Sequence, residues 1–231
     1  MLVRSMRLSF NFSIASSTTM LLPRLRPAPQ ALRGAFRRVS TLSSNPSIKV
    51  FPNPQKPNTY LLSYLDTHPP KPELAIGTSS TNPPTPSSFN GNQRFLGILN
   101  EVLAKHAADD PDLKSQAQAF ASPGGFNFIQ QRNRRGTSTG AGGASAEGGA
   151  GGAGVGGWVH LSDARNPPDF GRIAWPEDIL GSVEVDGQGN IIGNYQASGT
   201  YRIITNEGIL GLSPFLRGKL IARLREEEEK L

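Results

Sequence analysis

Cysteine is absent from the 231 residues, which excludes disulfides, thiol catalysis, cysteine-ligated zinc and iron–sulfur clusters. Histidine is scarce. His68, His106 and His160 are the only three, too few and too scattered for a histidine-rich metal site. No apolar run approaches the roughly 18–20 residues that a membrane-spanning helix needs, so no transmembrane segment is expected. No His-x-x-x-His, Glu-x-x-His, Asp-rich calcium loop or Gly-x-x-x-x-Gly-Lys motif occurs. The sequence marks of zinc, calcium and phosphate-loop chemistry are therefore missing. Catalytic residues stay unassigned, and neither a metal nor a cofactor is expected.

Negative charge is missing from the start of the chain. The first acidic residue is Asp66, and residues 1–39 hold seven arginines (4, 7, 24, 26, 33, 37 and 38) and no lysine. Serine and threonine cluster between Ser13 and Thr19. An arginine- and serine-rich, acid-free leader is the composition of a mitochondrial transit peptide. Its amphipathic helix presents a cationic face to receptors and to the membrane potential. Leu2–Phe12 and Gln30–Val39 are the two windows for such a helix. Arg37-Arg38-Val39-Ser40-Thr41 has the form of a processing site, with arginine two or three residues before a small residue. The competing reading is a basic arm for nucleic acid or anionic lipid. Short, interrupted apolar stretches argue against a secretory signal. The expected location is the mitochondrion, in the matrix.

The whole chain carries a formal charge of +6 and a pI near 9.9. Without residues 1–39 it holds 17 basic against 18 acidic residues, a charge near −1. The excess that would attract nucleic acid leaves with the leader. No nucleic-acid partner is expected of the remainder, although Arg132, Arg134 and Arg135 stand close together.

Residues 40–231 read as a single α+β domain. Residues 79–92 hold three prolines among small polar residues and read as a loop. In residues 136–157, eleven of 22 positions are glycine. Such a stretch loses much backbone entropy on ordering and has few side chains to offset it, so it reads as a disordered, low-complexity insertion. Its overlapping matches to the dinucleotide fingerprint, at 149–154 and 152–157, follow no strand and open no helix, and imply no cofactor. Short β-like runs cover Ser47–Phe51, Thr59–Leu65 and Glu73–Thr78. A helix starts at Gln93, capped by Asn90 or Asn92, with Phe95, Leu99, Val102, Leu103 and His106 on one face. A second helix, Asp112–Ala121, follows Asp109-Asp110-Pro111. The alternation in Leu180–Asp186, a turn at Asp186–Asn190 and the runs Asn190–Tyr195 and Thr200–Thr205 predict a three-stranded antiparallel meander. Ser213-Pro214 starts a C-terminal helix with Leu216, Leu220 and Leu224 on its apolar stripe. Its end, Glu226–Glu229, sets four like charges where the helix dipole prefers cations and is expected to fray. The fold class is α+β, an antiparallel sheet with a helical pair and a C-terminal helix packed on it.

Both tryptophans fall in residues 158–179. The candidate ligand or partner surface there is Trp158, His160, Asp163, Arg165, Asp169, Arg172, Trp175, Glu177 and Asp178. Pro167, Pro168 and Pro176 stiffen the backbone. Arg165 and Arg172 are placed to clamp an anion, with the carboxylates and His160 as acid–base groups. The same residues also suit internal Arg–Asp pairs that fasten a long loop to the sheet, and turn-forming runs in which Asp and Asn bond nearby N–H groups.

The run from Trp158 to Asp186, with Ser162-Asp163, Arg165 to Ile173 and Pro176-Glu177-Asp178-Ile179, resembles a family of uncharacterised fungal mitochondrial proteins. Thr200-Tyr201-Arg202 and Gly211-Leu212-Ser213 with the following helix are similar too. The resemblance covers about the last 75 residues well and Ile48–Phe128 loosely. It implies mitochondrial residence and one α+β unit, and carries over no catalytic residue. The expected function is a non-catalytic protein-interaction or assembly factor with a protein partner in mitochondria, rather than an enzyme. The first alternative is a binder or enzyme for a small anion, using Arg165 and Arg172 with nearby carboxylates. The second is association with mitochondrial RNA or ribosomes through Arg132, Arg134 and Arg135.

Overall fold

The computed structural model describes residues 40–122, 156–169 and 172–231. The leader, the arginine cluster at 132–135 and residues 136–155 of the glycine-rich tract lie outside the described residues. All described elements belong to one unit spanning residues 38–231.

The first half is a five-stranded antiparallel sheet in sequential order, β1 (Ser40–Thr41), β2 (Lys49–Pro52), β3 (Tyr60–Ser63), β4 (Gly77–Ser79) and β5 (Phe89–Gly91). Successive strand residues point to opposite faces. Val50 and Leu62, which pair, enter the main core, while Phe51 and Leu61, also paired, form a small second cluster with Ala75 on the other face. The run 73–78 is part strand only. Pro72–Leu74 is a 3-10 turn, and pairing starts at Gly77. Residues 79–92 are likewise more than a loop. Ser79 ends β4, residues 89–91 form β5, and only the middle is irregular. Ser79 is buried, and its hydroxyl bonds the Thr81 carbonyl and the Ser88 hydroxyl. Hydroxyl groups thus satisfy the polar backbone that a proline-rich hairpin cannot pair.

Helix α1 spans Gln93–His106, and the Asn92 side chain accepts from the Arg94 N–H at 3.0 Å, a helix cap. Phe95, Ile98, Leu99, Val102 and Leu103 are buried along one stripe. Helix α2, Pro111–Ala121, begins with proline, whose missing N–H needs no partner in a first turn. Helix α3, Pro214–Glu229, is capped by the Ser213 hydroxyl, which accepts from the Leu216 N–H, and buries Leu216, Leu220 and Leu224. Regular helix continues through the four glutamates to Glu229. Glu227 meets Arg223 at 2.6 Å, Lys230 at 2.8 Å and Arg94 of α1 at 3.3 Å, and the Lys71 ammonium donates to the Glu228 carbonyl at 2.7 Å. Cations from distant segments supply what the helix terminus lacks.

The three-stranded antiparallel meander is present, formed by β6 (Gly157–Ser162), β7 (Ile179–Val185) and β8 (Gln196–Ala197) in that order. Its membership differs from the alternation pattern. The last glycine of the 136–157 tract is the first residue of β6. The stretch 190–195 contributes one isolated bridge, Val185 with Ile191. Within 200–205, only Ile204–Thr205 is extended, as β9, and it pairs with β10 (Gly208–Ile209) in a separate hairpin. The turn at 186–190 is closed by Asp186, which accepts from the Gln188 and Asn190 N–H groups. Gly189 there has φ +82°, and an added Cβ would lie 2.9 Å from the Ala117 carbonyl oxygen of α2, so glycine answers both the turn and the close packing. Among the described residues, one continuous core joins side chains of β2, β3, β6 and β7 to those of α1, α2 and α3.

Candidate functional site

The long connection between β6 and β7, with the strand that precedes it, carries all nine candidate residues, and they fall into three groups.

The first group is the buried base of the connection. Asp163 follows β6 in an Asx-type turn, in which its Oδ1 accepts the Arg165 N–H at 2.9 Å. The Arg165 side chain folds back into the protein and is only 3% exposed. Its Nε–H donates to Asp178 Oδ1 at 2.8 Å. Its Nη1 donates to the Ile203 carbonyl at 2.8 Å, and its Nη2 donates to the Glu177 carbonyl at 3.0 Å and the Arg202 carbonyl at 2.8 Å. Four of five guanidinium donors thus hold the protein to itself. Asp163 Oδ1 also accepts the Gly211 N–H at 2.8 Å, and Oδ2 accepts the Tyr201 hydroxyl at 2.8 Å. Asn166 donates to Asp178 Oδ2 at 3.2 Å. Gly211 is required, because a Cβ would stand 2.8 Å from the Arg165 nitrogen. Two buried carboxylates share one guanidinium. Burial pushes the Asp163 carboxyl up despite Arg165, and burial with the adjacent Asp163 pushes Tyr201 far up, so Tyr201 stays a donor.

The second group is the exposed outer part. Asp169 and Arg172 approach to 4.0 Å with side chains 84% and 75% exposed. Ala174 is buried and pins the chain between Ile173 and Trp175, which are 42% and 70% exposed. A 3-10 turn at Pro176–Asp178 returns the chain to β7. There the Pro176 carbonyl accepts the Thr200 hydroxyl at 2.7 Å, and the Glu177 carbonyl accepts the Arg202 N–H at 3.1 Å. Trp175, Pro176, Glu177, Thr200 and Arg202 line an open recess of about 380 Å³.

The third group lies on the outer face of the meander. Trp158 pairs with Glu184 and His160 with Ser182. His160 Nδ1 and Ser182 Oγ are 2.7 Å apart, and burial pulls the imidazole below its usual value.

The structure therefore brings Asp163, Arg165 and Asp178 together and separates Arg165 from Arg172. One is internal and engaged, the other is at the surface, and they do not form a two-arginine clamp. Sequence reasoning did not single out Tyr201, Gly211 or the Ile203 and Arg202 carbonyls, which complete the base. Asp110 was also passed over. It is fully buried, its Oδ1 accepts the Ser213 hydroxyl at 2.9 Å, and its Oδ2 has no hydrogen-bond partner among the described residues. Among the described residues no group of three or more His, Cys, Asp or Glu is placed to hold a metal, and no helix is long and apolar enough to cross a membrane. Comparison of the chain with family models, curated proteins and solved structures finds no match.

Proposed function

We propose that this chain is a mitochondrial, matrix-resident interaction or assembly factor without catalytic activity, and that the outer part of the β6–β7 connection is its docking surface for a protein partner. The observation that carries the reading is Trp175, 70% exposed, on a connection whose base is anchored by Arg165. Burying an indole contributes roughly 3 kcal/mol. A surface held in place by an internal network loses little ordering entropy when a partner arrives. Tryptophan and arginine are the residue types that dominate interfaces. Arg172, Ile173 and Trp175 lie in this segment, and Arg202 lines the recess beside Trp175. The engagement of Arg165 within the protein removes the strongest support for the small-anion alternative.

The test is native-size separation with crosslinking mass spectrometry on mitochondria that make the tagged chain at its normal level. The expected result is a complex with crosslinks from one partner to residues 169–179, weakened at least about tenfold by Trp175→Ala. A particle of monomer size without crosslinks would overturn the reading.

A further inference from the structure

We propose that the recess between α2 and the start of the β6–β7 connection binds the ammonium group of an alkylamine, with Asp110 as its counter-ion. The site is separate from the docking surface around Trp175 and does not depend on it. The recess holds about 370 Å³ and lies among the first turns of α2 and α3, the end of β6 and the residues that follow it. None of its lining residues is lysine, arginine or histidine. Asp110 stands at its wall, immediately before α2, with no exposure. One carboxylate oxygen accepts the Ser213 hydroxyl at 2.9 Å, while the other has no hydrogen-bond partner among the described residues. A fully buried carboxylate left half-paired is costly, and native structures rarely leave such a group unanswered.

Charge and shape together select the ligand. Asp163 also lines the recess, but both its oxygens are engaged, and Arg165 beside it is shared with Asp178. The starts of α2 and α3 supply about half a positive charge each. Asp110 and Asp112, both in the wall, carry more than that between them, so the recess favours a cation. Among the described residues no three acidic or histidine side chains are placed to hold a metal ion. The rest of the wall is largely apolar, with Leu161, Leu180, Leu212 and Leu216 beside Pro167 and Pro168. An alkyl stem of about four carbons suits that wall while its ammonium meets the carboxylate, the same division between stem and head that a lysine side chain has. Two sources carry this group, a free aliphatic amine and a lysine of another protein.

Butylammonium chloride is titrated into the full chain and followed by the backbone amide signals of Asp112, Gly211 and Ser213 in proton–nitrogen NMR. Sodium chloride at equal ionic strength and butanol are the controls. The expected result is saturation with a Kd of about 1 mM. Asp110→Asn removes the charge and keeps an acceptor for Ser213, and is expected to bind at least about tenfold more weakly. Ser115→Leu adds bulk to the recess from an exposed position of α2 and leaves Asp110 in place. It is expected to weaken binding at least as much. N-acetyl-lysine amide, titrated in the same way, separates the sources. Binding as tight as that of butylammonium supports the proposal with a protein lysine as the source, and binding at least about tenfold weaker supports it with a free amine. No saturation by about 10 mM of either amine overturns the proposal. So do equal shifts from butanol or sodium, and so does parental affinity in either variant.

Discussion

Replacing Arg165 by methionine separates an architectural role from a ligand-binding one. The side chain is 3% exposed, and Asp163 and Asp178 beside it are 0% and 1% exposed. Methionine keeps much of the volume and removes every donor. Two buried carboxylates lose their cation, and the carbonyls of Glu177, Arg202 and Ile203 lose a partner. Removing one member of a buried ion pair costs about 3–5 kcal/mol, a large share of the roughly 5–15 kcal/mol that holds a domain together. With a urea slope of about 2 kcal/mol per molar, the unfolding midpoint falls by roughly 2 M. The loss comes from stranded charge rather than from missing contact area, so neutralising one carboxylate restores part of it. Arg165→Met with Asp178→Asn is expected to be more stable than Arg165→Met alone, by about 1–3 kcal/mol in a double-mutant cycle. Urea unfolding followed by tryptophan fluorescence reads both. A single variant with the parental midpoint would refute the reasoning, as would a double variant weaker than the single.

The helices were legible because their signals are local. Asn92 before Gln93, Pro111, and Ser213 before Pro214 each satisfy or avoid backbone donors within their own first turn. Leu216, Leu220 and Leu224 repeat at the helical period and are all buried. What was not legible depends on residues brought together from far along the chain. The run Glu226–Glu229 reads as repulsion until Arg94 and Lys71 arrive from more than a hundred residues away. The alternation in 200–205 is as strand-like as that in 180–186, yet its carbonyls at Arg202 and Ile203 turn inward to Arg165. The same distinction governs the candidate site. Residue types offered Asp163, Asp169, Glu177 and Asp178 alike as partners for Arg165 and Arg172, without choosing among them. Whether the guanidinium faces a ligand or the protein was decided by Tyr201, Arg202, Ile203 and Gly211, a segment some 40 residues downstream. Trp175 carries the reverse lesson, since an apolar side chain in a charged loop gives no local sign of being left uncovered.

Three further perturbations address the core and the titrating groups. Leu220→Ala, at a position with no exposure, is expected to cost about 2–5 kcal/mol through the cavity it leaves, read as a lowered calorimetric melting temperature. Glu227 is held down to about 2 from an ordinary 4.5, first by the hydrogen bond from Lys230 and then by that from Arg223. A lowered carboxyl stabilises the fold above its unfolded value, and that contribution is lost as pH falls from 4.5 through about 2. Glu227→Gln is expected to lack this acid-side slope in urea midpoints. Asp110 has the opposite sign. Its carboxyl is raised, first by burial, with the Ser213 hydroxyl pulling the other way. The folded chain therefore binds its proton at a pH where the unfolded chain does not, so its charge weakens the fold at neutral pH and the penalty is relieved as pH falls toward 3.8. An asparagine in its place would keep an acceptor for Ser213 without carrying the charge. Asp110→Asn is thus expected to be more stable than the parent at pH 7, with the advantage shrinking steadily as pH is lowered to 4. An advantage that grows on acidification would mean that the buried carboxylate is stabilised by the first turn of α2, and the assignment of burial as the dominant influence on Asp110 would fall.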